Sequence, residues 1–429
     1  MISSTDNKLL YNFKLSSVGP SRITGSGLIN EPTGIDLAMK LHYIKGVYFF
    51  SSEASQGLTT PHIKENLFYW SNDYYLASGR FWRAEDGRPY MKCNDCGVRM
   101  IEAQCDKTVE EWLQMRDSSL DSLLVYHQPL GPDLSFSPSL YLQITRFKCG
   151  GISFGMSWAH IIGDMFSISD SINMWGLFLA GLKSYGPLEI PKQPERPQKP
   201  NNVKNPLSLK RVNPVGDHWV TANDCKMVTF SLYLTDSKLT HLLSNISGQT
   251  HIEKAPLFES ICAIIWQSIS KIRQGNEPKT VTICKKDPNC SKIRNLSNTQ
   301  IISSVESQNS IIDSDLKTLT KLLSDCAIDE RDQIENTVEG AQDYIVYGAN
   351  LTFIDLGGAD LYGLEWNKKK PLFVSYSIQG VGDEGVVLVV PWKQNCDDLS
   401  NKGRVVTMIL PEMEATKLKI ELKENGFFT

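Results

Sequence analysis

The stretch His-Ile-Ile-Gly-Asp at residues 160–164 lies between two regular patterns of the sequence. Before it, Ile152 to Trp158 alternates large apolar residues with Ser and Gly, as in a β-strand whose two faces differ. After it, apolar residues recur every three or four positions from Met165 to Leu182, which is typical of one face of an α-helix. The sequence therefore predicts a strand, a short turn and a helix, with His160 at the end of the strand.

The strand before His160 is predicted to be the second arm of a β-hairpin. Leu140 to Thr145 forms the first arm, and Cys149-Gly150-Gly151 supplies the turn. Small residues share one face of the second arm, so another part of the backbone can approach that face closely.

His160 admits a catalytic and a structural interpretation. A neutral imidazole accepts a proton near pH 7, and a well-placed general base accelerates a reaction by roughly 10²–10⁴. The alternative is a core histidine, because His160 continues the parity of the apolar face that ends at Trp158. The other histidines, His42 among them, lie in no comparable setting.

Asp164 likewise has two candidate roles. On a helix it would share a face with His160 and could fix the imidazole tautomer. Gly163 and the end of the strand argue against a helix at His160, and Asp164 is then well placed as the N-cap of the helix that begins at Met165.

A proline-rich segment divides the chain. Residues 187–214 contain seven of the 20 prolines, and proline prevents helix formation and removes backbone donors. We expect an N-terminal domain over residues 1–186, an extended crossover over 187–214 and a C-terminal domain over 215–429.

Strands and helices alternate on both sides of the crossover, which predicts a mixed α/β (α+β) fold. The N-terminal half has a strand ending in Gly46–Phe50 and a helix over Leu58–Trp70. The C-terminal half has helices and strands predicted over the following ranges: Pro256–Ile272 and Glu412–Glu424 as helices, and Thr280–Cys284, Tyr344–Ile354, Leu372–Ile378, Gly385–Val390 and Arg404–Leu410 as strands.

Composition excludes several classes of protein. The chain is 41% hydrophobic and 21% charged with a net charge of -4, which is ordinary for a globular protein and argues against nucleic acid as the main partner.

No signal peptide and no apolar run of about 20 residues are visible, so we expect only peripheral or partner-mediated membrane contact. The ten cysteines are irregularly spaced, and Cys93 and Cys96 lack a second ligand pair, so we predict reduced thiols and no metal site.

The residues around His160 also resemble a known family. Ser157–Asp164 is similar to the H-x-x-x-D motif of the plant BAHD acyltransferases, Leu142–Gly151 to the segment before that motif, and Leu76–Arg80 to the family's L-A-G-R. The resemblance covers essentially the whole chain. It implies two similar chloramphenicol-acetyltransferase-like domains, each a sheet backed by helices, with a channel between them.

The resemblance also implies roles for the motif residues. In catalytic members the motif histidine, here His160, lies in the channel and deprotonates an alcohol or amine that attacks an acyl-CoA thioester. The motif aspartate, here Asp164, supports the loop. Acyl-CoA is thus the implied substrate or ligand, with no permanently bound cofactor.

Other family motifs are altered in this chain. The D-F-G-W-G motif is replaced by a degenerate segment, Asp360–Trp366, in which Asp360 and Gly363 are the matching residues. An arginine-containing segment is replaced by Cys284–Asn289, and no Y-F-G-N-like segment follows it. The joint loss of the arginine and of its partner motif fits the loss of a salt bridge between them. The residues that would bind CoA are therefore unassigned.

Four further segments resemble the eceriferum/glossy-type wax proteins of this family: Gly34–Tyr43, Leu130–Pro138, Tyr347–Phe353 and Gly380–Val389. This resemblance implies an accessory component of the endoplasmic-reticulum fatty acid elongase. Such a component works with a 3-ketoacyl-CoA synthase to extend very-long-chain acyl-CoAs for cuticular wax. It implies the cytosolic face of the endoplasmic reticulum, with the cytosol or nucleus as other locations. The alternative is an acyl-CoA-dependent O- or N-acyltransferase that uses His160 as its base.

Overall fold

The structure is a computed structural model that describes residues 9–25, 27–182, 205–247, 256–290, 296–393, 403–424 and 426. The strands are β1 (Leu10–Val18), β2 (Ile29–Asn30), β3 (Tyr43–Phe50), β4 (Arg80–Arg83), β5 (Pro89–Lys92), β6 (Val98–Cys105), β7 (Leu140–Phe147), β8 (Ile152–Ala159), β9 (Lys210–Val212), β10 (Met227–Leu234), β11 (Thr280–Lys285), β12 (Ile301–Glu306), β13 (Ile328–Asp329), β14 (Asp343–Ile345), β15 (Leu351–Asp355), β16 (Phe373–Gln379), β17 (Val386–Trp392) and β18 (Gly403–Pro411). The helices are α1 (Gly34–Ala38), α2 (Ser52–Ser55), α3 (Thr60–Asp73), α4 (Val109–Gln114), α5 (Met165–Leu179), α6 (Asp236–Ser247), α7 (Leu257–Ile272), α8 (Leu316–Asp325), α9 (Arg331–Thr337) and α10 (Glu412–Glu424).

Two large sheets organise these elements into the predicted mixed α+β fold. The first has six strands in the order β1-β6-β7-β8-β3-β16, and the second has seven in the order β10-β18-β17-β15-β11-β12-β13. Strand β16 comes from the C-terminal half of the chain but pairs antiparallel with β3, from Phe373 opposite Phe49 to Gln379 opposite Tyr43. The C-terminal half thus completes the N-terminal sheet, which brings both halves together beside His160.

The predicted hairpin is confirmed as β7 and β8, which pair antiparallel. The apolar face of β8, including Phe154 and Trp158, is buried. The small-residue face allows the expected close approach, because a Cβ atom on Gly155 would lie 1.9 Å from the carbonyl oxygen of Leu124. Only glycine fits there, because any side chain would clash with that carbonyl oxygen.

Two predicted elements are wrong because each continues past a glycine at which the structure interrupts or ends it. The strand predicted over Tyr344–Ile354 is two strands, β14 and β15, because Gly348 turns the chain with a φ of 81°. The helix predicted to reach Leu182 ends at Leu179, where Gly181 adopts a φ of 65° and Leu182 is left 76% exposed. In both cases a glycine in the left-handed region ends an otherwise continuous apolar pattern.

The predicted domain boundaries remain predictions. Residues 183–204, which hold most of the predicted crossover, lie outside the described residues. The described end of that crossover contains β9, which pairs antiparallel with β14. None of the helices in the described ranges is both long and apolar enough to cross a lipid bilayer.

Candidate functional site

The backbone of His160 is fixed by both halves of the chain. His160 begins a short 3₁₀ turn over His160–Ile162, directly after β8. Its N–H donates to the carbonyl oxygen of His42 at 2.9 Å, and its own carbonyl accepts from the side-chain amide of Asn298 at 2.9 Å. The position of the imidazole is therefore set by contacts that span much of the sequence.

The imidazole of His160 is fully enclosed. Its exposed fraction is 0%, and its Nε2 lies 2.8 Å from the hydroxyl of Tyr347. That hydroxyl lies 2.9 Å from Nε2 and 3.0 Å from Oε1 of Gln300. The Nδ1 atom of His160 has no hydrogen-bond partner among the described residues. The Nε2 atom of His160 is thus occupied by a tyrosine of the chain itself.

Burial also sets the protonation state of His160. Loss of solvation lowers its pKa to about 4, and hydrogen bonding from its own backbone and from Asn298 opposes that shift only in part. The imidazole is therefore neutral at pH 7. A neutral ring can in principle accept a proton, but a base of such low pKa is weak at that pH.

A second histidine, His42, positions Tyr347. The Nε2 atom of His42 accepts hydrogen bonds from the backbone N–H groups of Val346 at 3.1 Å and Tyr347 at 3.2 Å. Since Nε2 accepts, Nδ1 carries the proton and donates to the carbonyl oxygen of Gly380 at 2.9 Å. Burial lowers the pKa of His42 to about 3, which keeps the ring neutral. Sequence reasoning set His42 aside, although it lies within one of the four segments that resemble the wax proteins.

Asp164 is the N-cap of α5. Its Oδ1 accepts from the backbone N–H groups of Phe166 at 3.1 Å and Ser167 at 2.8 Å. Its Oδ2 accepts from the N–H groups of Thr299 at 2.7 Å and Gln300 at 2.9 Å. Burial raises the pKa of Asp164 and these donors oppose the shift. One carboxylate therefore caps a helix of the N-terminal half and holds a segment of the C-terminal half.

The two candidate roles of Asp164 are thereby separated. Among the described residues its hydrogen bonds go to backbone and hydroxyl donors, and none reaches the imidazole of His160. The ion pairs found within the described ranges do not include Asp164 either. Backbone amides and the α5 N-terminus stabilise its charge in place of a cation.

The degenerate motif Asp360–Trp366 contacts α5 at a point away from Asp164. The carbonyl oxygen of Asp360 accepts from the side-chain amide of Asn173 at 2.8 Å, and a Cβ atom on Gly363 would lie 2.4 Å from that amide nitrogen. Asn173 is eight residues beyond Met165, about 12 Å along the helix at 1.5 Å per residue. The structure thus brings His160 and Asp164 together but places Asp360 and Gly363 in a packing contact with Asn173 of α5.

Comparison with known proteins identifies a family model and two relatives that this chain resembles. The model of the Transferase family matches residues 33–300. Protein ECERIFERUM 26 of Arabidopsis thaliana is 44% identical over 97% of this chain and 96% of its own length. Protein ECERIFERUM 2 of the same plant is 37% identical over 95% of this chain and 97% of its own length.

The fold has counterparts among solved structures. The crystal structure of vinorine synthase covers 97% of this chain and 98% of its own, with a TM-score of 0.68 and 16% identity, which shows a shared chloramphenicol-acetyltransferase-like fold. Fold and sequence agree, and the chain belongs to the Transferase (BAHD) family and, within it, to the wax-related eceriferum group.

Proposed function

We propose that this protein is an accessory component of the endoplasmic-reticulum fatty acid elongase. It binds the condensing enzyme, a 3-ketoacyl-CoA synthase, and promotes the elongation of very-long-chain acyl-CoAs for cuticular wax without transferring an acyl group itself. The observation that carries this proposal is the enclosure of His160, which is 0% exposed and hydrogen-bonded through Nε2 to Tyr347. Similarity to ECERIFERUM 26 and ECERIFERUM 2 supports the wax-related setting.

The enclosure argues against general-base catalysis on energetic grounds. A base must come within roughly 2.6–3.2 Å of the proton it removes. A substrate hydroxyl could reach Nε2 of His160 only by displacing the Tyr347 hydroxyl, which lies 2.8 Å away. That displacement would also leave the side chain of Gln300 without its buried partner, at a cost of about 1–3 kcal/mol.

The competing function is an acyl-CoA-dependent O- or N-acyltransferase. Its support is the neutral imidazole of His160 at the end of β8 and the Nδ1 atom that has no partner among the described residues. In this function Tyr347 moves aside when acyl-CoA and an acceptor bind.

The test replaces the base but keeps the hydrogen bond. The amide of His160→Gln reaches the position of the imidazole Nε2 and bonds to Tyr347, but it cannot accept a catalytic proton. The variant and the wild type are each expressed with a 3-ketoacyl-CoA synthase in yeast that lacks the longest acyl chains, and fatty acids are measured by gas chromatography. We expect His160→Gln to lengthen chains as fully as the wild type.

Two controls make the result decisive. When the protein is expressed without the plant condensing enzyme, fatty acids should stay as short as in the yeast host. Lengthening without the condensing enzyme would refute the accessory role. Loss of lengthening in His160→Gln, with abundance and circular dichroism like those of the wild type, would instead refute the accessory role as stated and favour the acyltransferase function. Localisation to the cytosolic face of the endoplasmic reticulum is expected to depend on the condensing enzyme.

A further inference from the structure

A cavity of about 600 Å³ lies between the N-terminal sheet and the C-terminal half. Its walls come from β3 and β16, from the segment 118–129 and from the segment 220–229, which includes the start of β10. This volume falls within the range of small-molecule sites, which is roughly 300–1,000 Å³. His160 is not among the lining residues, although Gly380, whose carbonyl oxygen accepts from His42, borders both the cavity and the site described above.

Lys45 carries the only charged side chain among the residues that line this cavity. On β3 it pairs with Ser157 of β8 on one side and with Ser377 of β16 on the other. No hydrogen bond or ion pair to Lys45 is found within the described ranges. Burial lowers its pKa to about 8, and burial is the sole cause of that shift. An ammonium group in such surroundings is costly unless an anion joins it.

The carboxyl group of Asp121, beside the cavity of Lys45, already has partners. Asp121 lines a small adjoining cavity together with Lys45. Its Oδ2 accepts from the hydroxyl of Ser375 at 2.7 Å and its Oδ1 from the indole N–H of Trp112 at 3.2 Å. Because neither hydrogen bond of Asp121 involves Lys45, the ammonium remains available to a ligand.

His127 offers a second polar group to the same cavity. Its Nδ1 lies 2.7 Å from the hydroxyl of Ser157, and its Nε2 is buried without a partner among the described residues. Burial first, and the charge of Lys45 second, lower the pKa of His127 to about 3. The ring is therefore neutral and supplies a hydrogen bond rather than a second charge.

The remaining walls are divided between hydroxyl and apolar groups. Hydroxyl groups of Ser122, Thr229 and Ser377 share the cavity with Lys45, whereas Leu41, Ile378 and Ile409 are buried apolar residues that line it. A ligand that satisfies both parts has a small anionic head and an apolar body.

We propose that this cavity binds an amphiphile with a small anionic head group, a carboxylate or a phosphate, whose charge pairs with Lys45 and whose hydrocarbon tail lies along the apolar wall. The site works independently of His160. It also requires no condensing enzyme, so it can fail or succeed separately from the proposed function.

The test uses the purified full chain and isothermal titration calorimetry with three probes below their micellar concentrations. Palmitate and dodecyl phosphate present the two head groups, and methyl palmitate presents a similar tail without charge. We expect at least one anionic probe to bind the wild type, and methyl palmitate to bind at least tenfold more weakly. The better of the two anionic probes identifies the head group.

Substitutions then test the counter-ion. Lys45→Met removes the charge at similar length and should weaken binding at least about tenfold, because hydrogen bonds to charged groups are the stronger kind. Lys45→Arg should retain binding. Lys369→Met, which removes an exposed lysine paired with Glu53, is the matched control and should bind as the wild type does.

A further variant guards against misfolding of Lys45→Met. Ser122 is an exposed residue of the cavity wall, and Ser122→Trp should block the cavity while leaving Lys45 in place. Affinity for methyl palmitate equal to that for the better anionic probe, no binding of either anionic probe, or undiminished binding in folded Lys45→Met or Ser122→Trp would overturn the proposal.

Discussion

The His160 site and the Lys45 cavity are built on the same pair of strands but have opposite character. His160 directly follows β8 and is enclosed, with hydrogen bonds to backbone and side chain alike. Lys45 pairs with Ser157 of β8, yet its ammonium faces a cavity of about 600 Å³ without a partner among the described residues. The residues that resemble a catalytic motif are committed to holding the structure together. The group that still has binding capacity lies outside that motif.

The largest effect is expected at Asp164, because its carboxylate joins two halves of the chain. Asp164→Ala leaves four buried N–H groups without acceptors, and we expect a loss of about 3–5 kcal/mol in the free energy of unfolding, measured with urea. Asp315→Ala is the matched control, since Asp315 caps α8 at the surface by accepting from Thr318. That variant should lose about 1 kcal/mol. Equal losses in the two variants would show that Asp164 acts as a cap alone.

The next effect concerns the pH dependence that His160 imposes on stability. As the pH falls below 6.5, the unfolded chain takes up a proton that buried His160 does not accept until about pH 4. Acid therefore destabilises the wild type, by about 3 kcal/mol from this residue between those two pH values. His160→Gln should remove this contribution, and His218→Gln, at an exposed position, should retain it. Unfolding curves measured from pH 4 to 7 check this, and parallel pH profiles of the wild type and His160→Gln would contradict the enclosure.

A smaller effect is expected when the hydroxyl that covers His160 is removed. Tyr347→Phe leaves Nε2 of His160 and the side chain of Gln300 unpaired, and we expect a loss of about 2 kcal/mol. Tyr344→Phe removes a partly buried hydroxyl that donates to Gln342 and should cost less than about 1 kcal/mol. Urea denaturation of both variants measures the difference, and a neutral Tyr347→Phe would mean that the enclosure is not stabilising.

The smallest expected change in the free energy of unfolding is a gain, whereas the others are losses. Lys45→Met replaces a desolvated charge with an apolar side chain of similar length, and we expect a gain of about 1 kcal/mol in the absence of ligand. Lys369→Met should change stability by no more than about 0.5 kcal/mol. Thermal unfolding of the ligand-free proteins compares them. A destabilised Lys45→Met would mean that the ammonium has a structural partner, and the contrast between the two regions would then be lost.

Local patterns were sufficient for most elements near the site. The hairpin β7–β8, helix α5 and the cap at Asp164 follow from alternation, helical spacing and a capping residue, all of which depend on neighbours in the chain. Gly348 and Gly181 broke two of the predicted elements. Gly348 turns where Gly382 approaches it closely, a contact that only the fold creates, whereas Gly181 ends α5 through local hydrogen bonds that the apolar spacing did not show.

The sequence by itself determined the family, the alternating elements and the position of His160 at the end of a strand. Only the tertiary structure decided what surrounds that histidine. Tyr347 is 187 residues away in the chain and His42 is held against Gly380 across 338 residues, so neither contact leaves a periodic signal. That Lys45 has no counter-ion among the described residues likewise depends on how distant segments pack around it. Burial and long-range hydrogen bonds are properties of the folded chain alone. They decide whether His160, in a motif that the sequence retains, can act as a base.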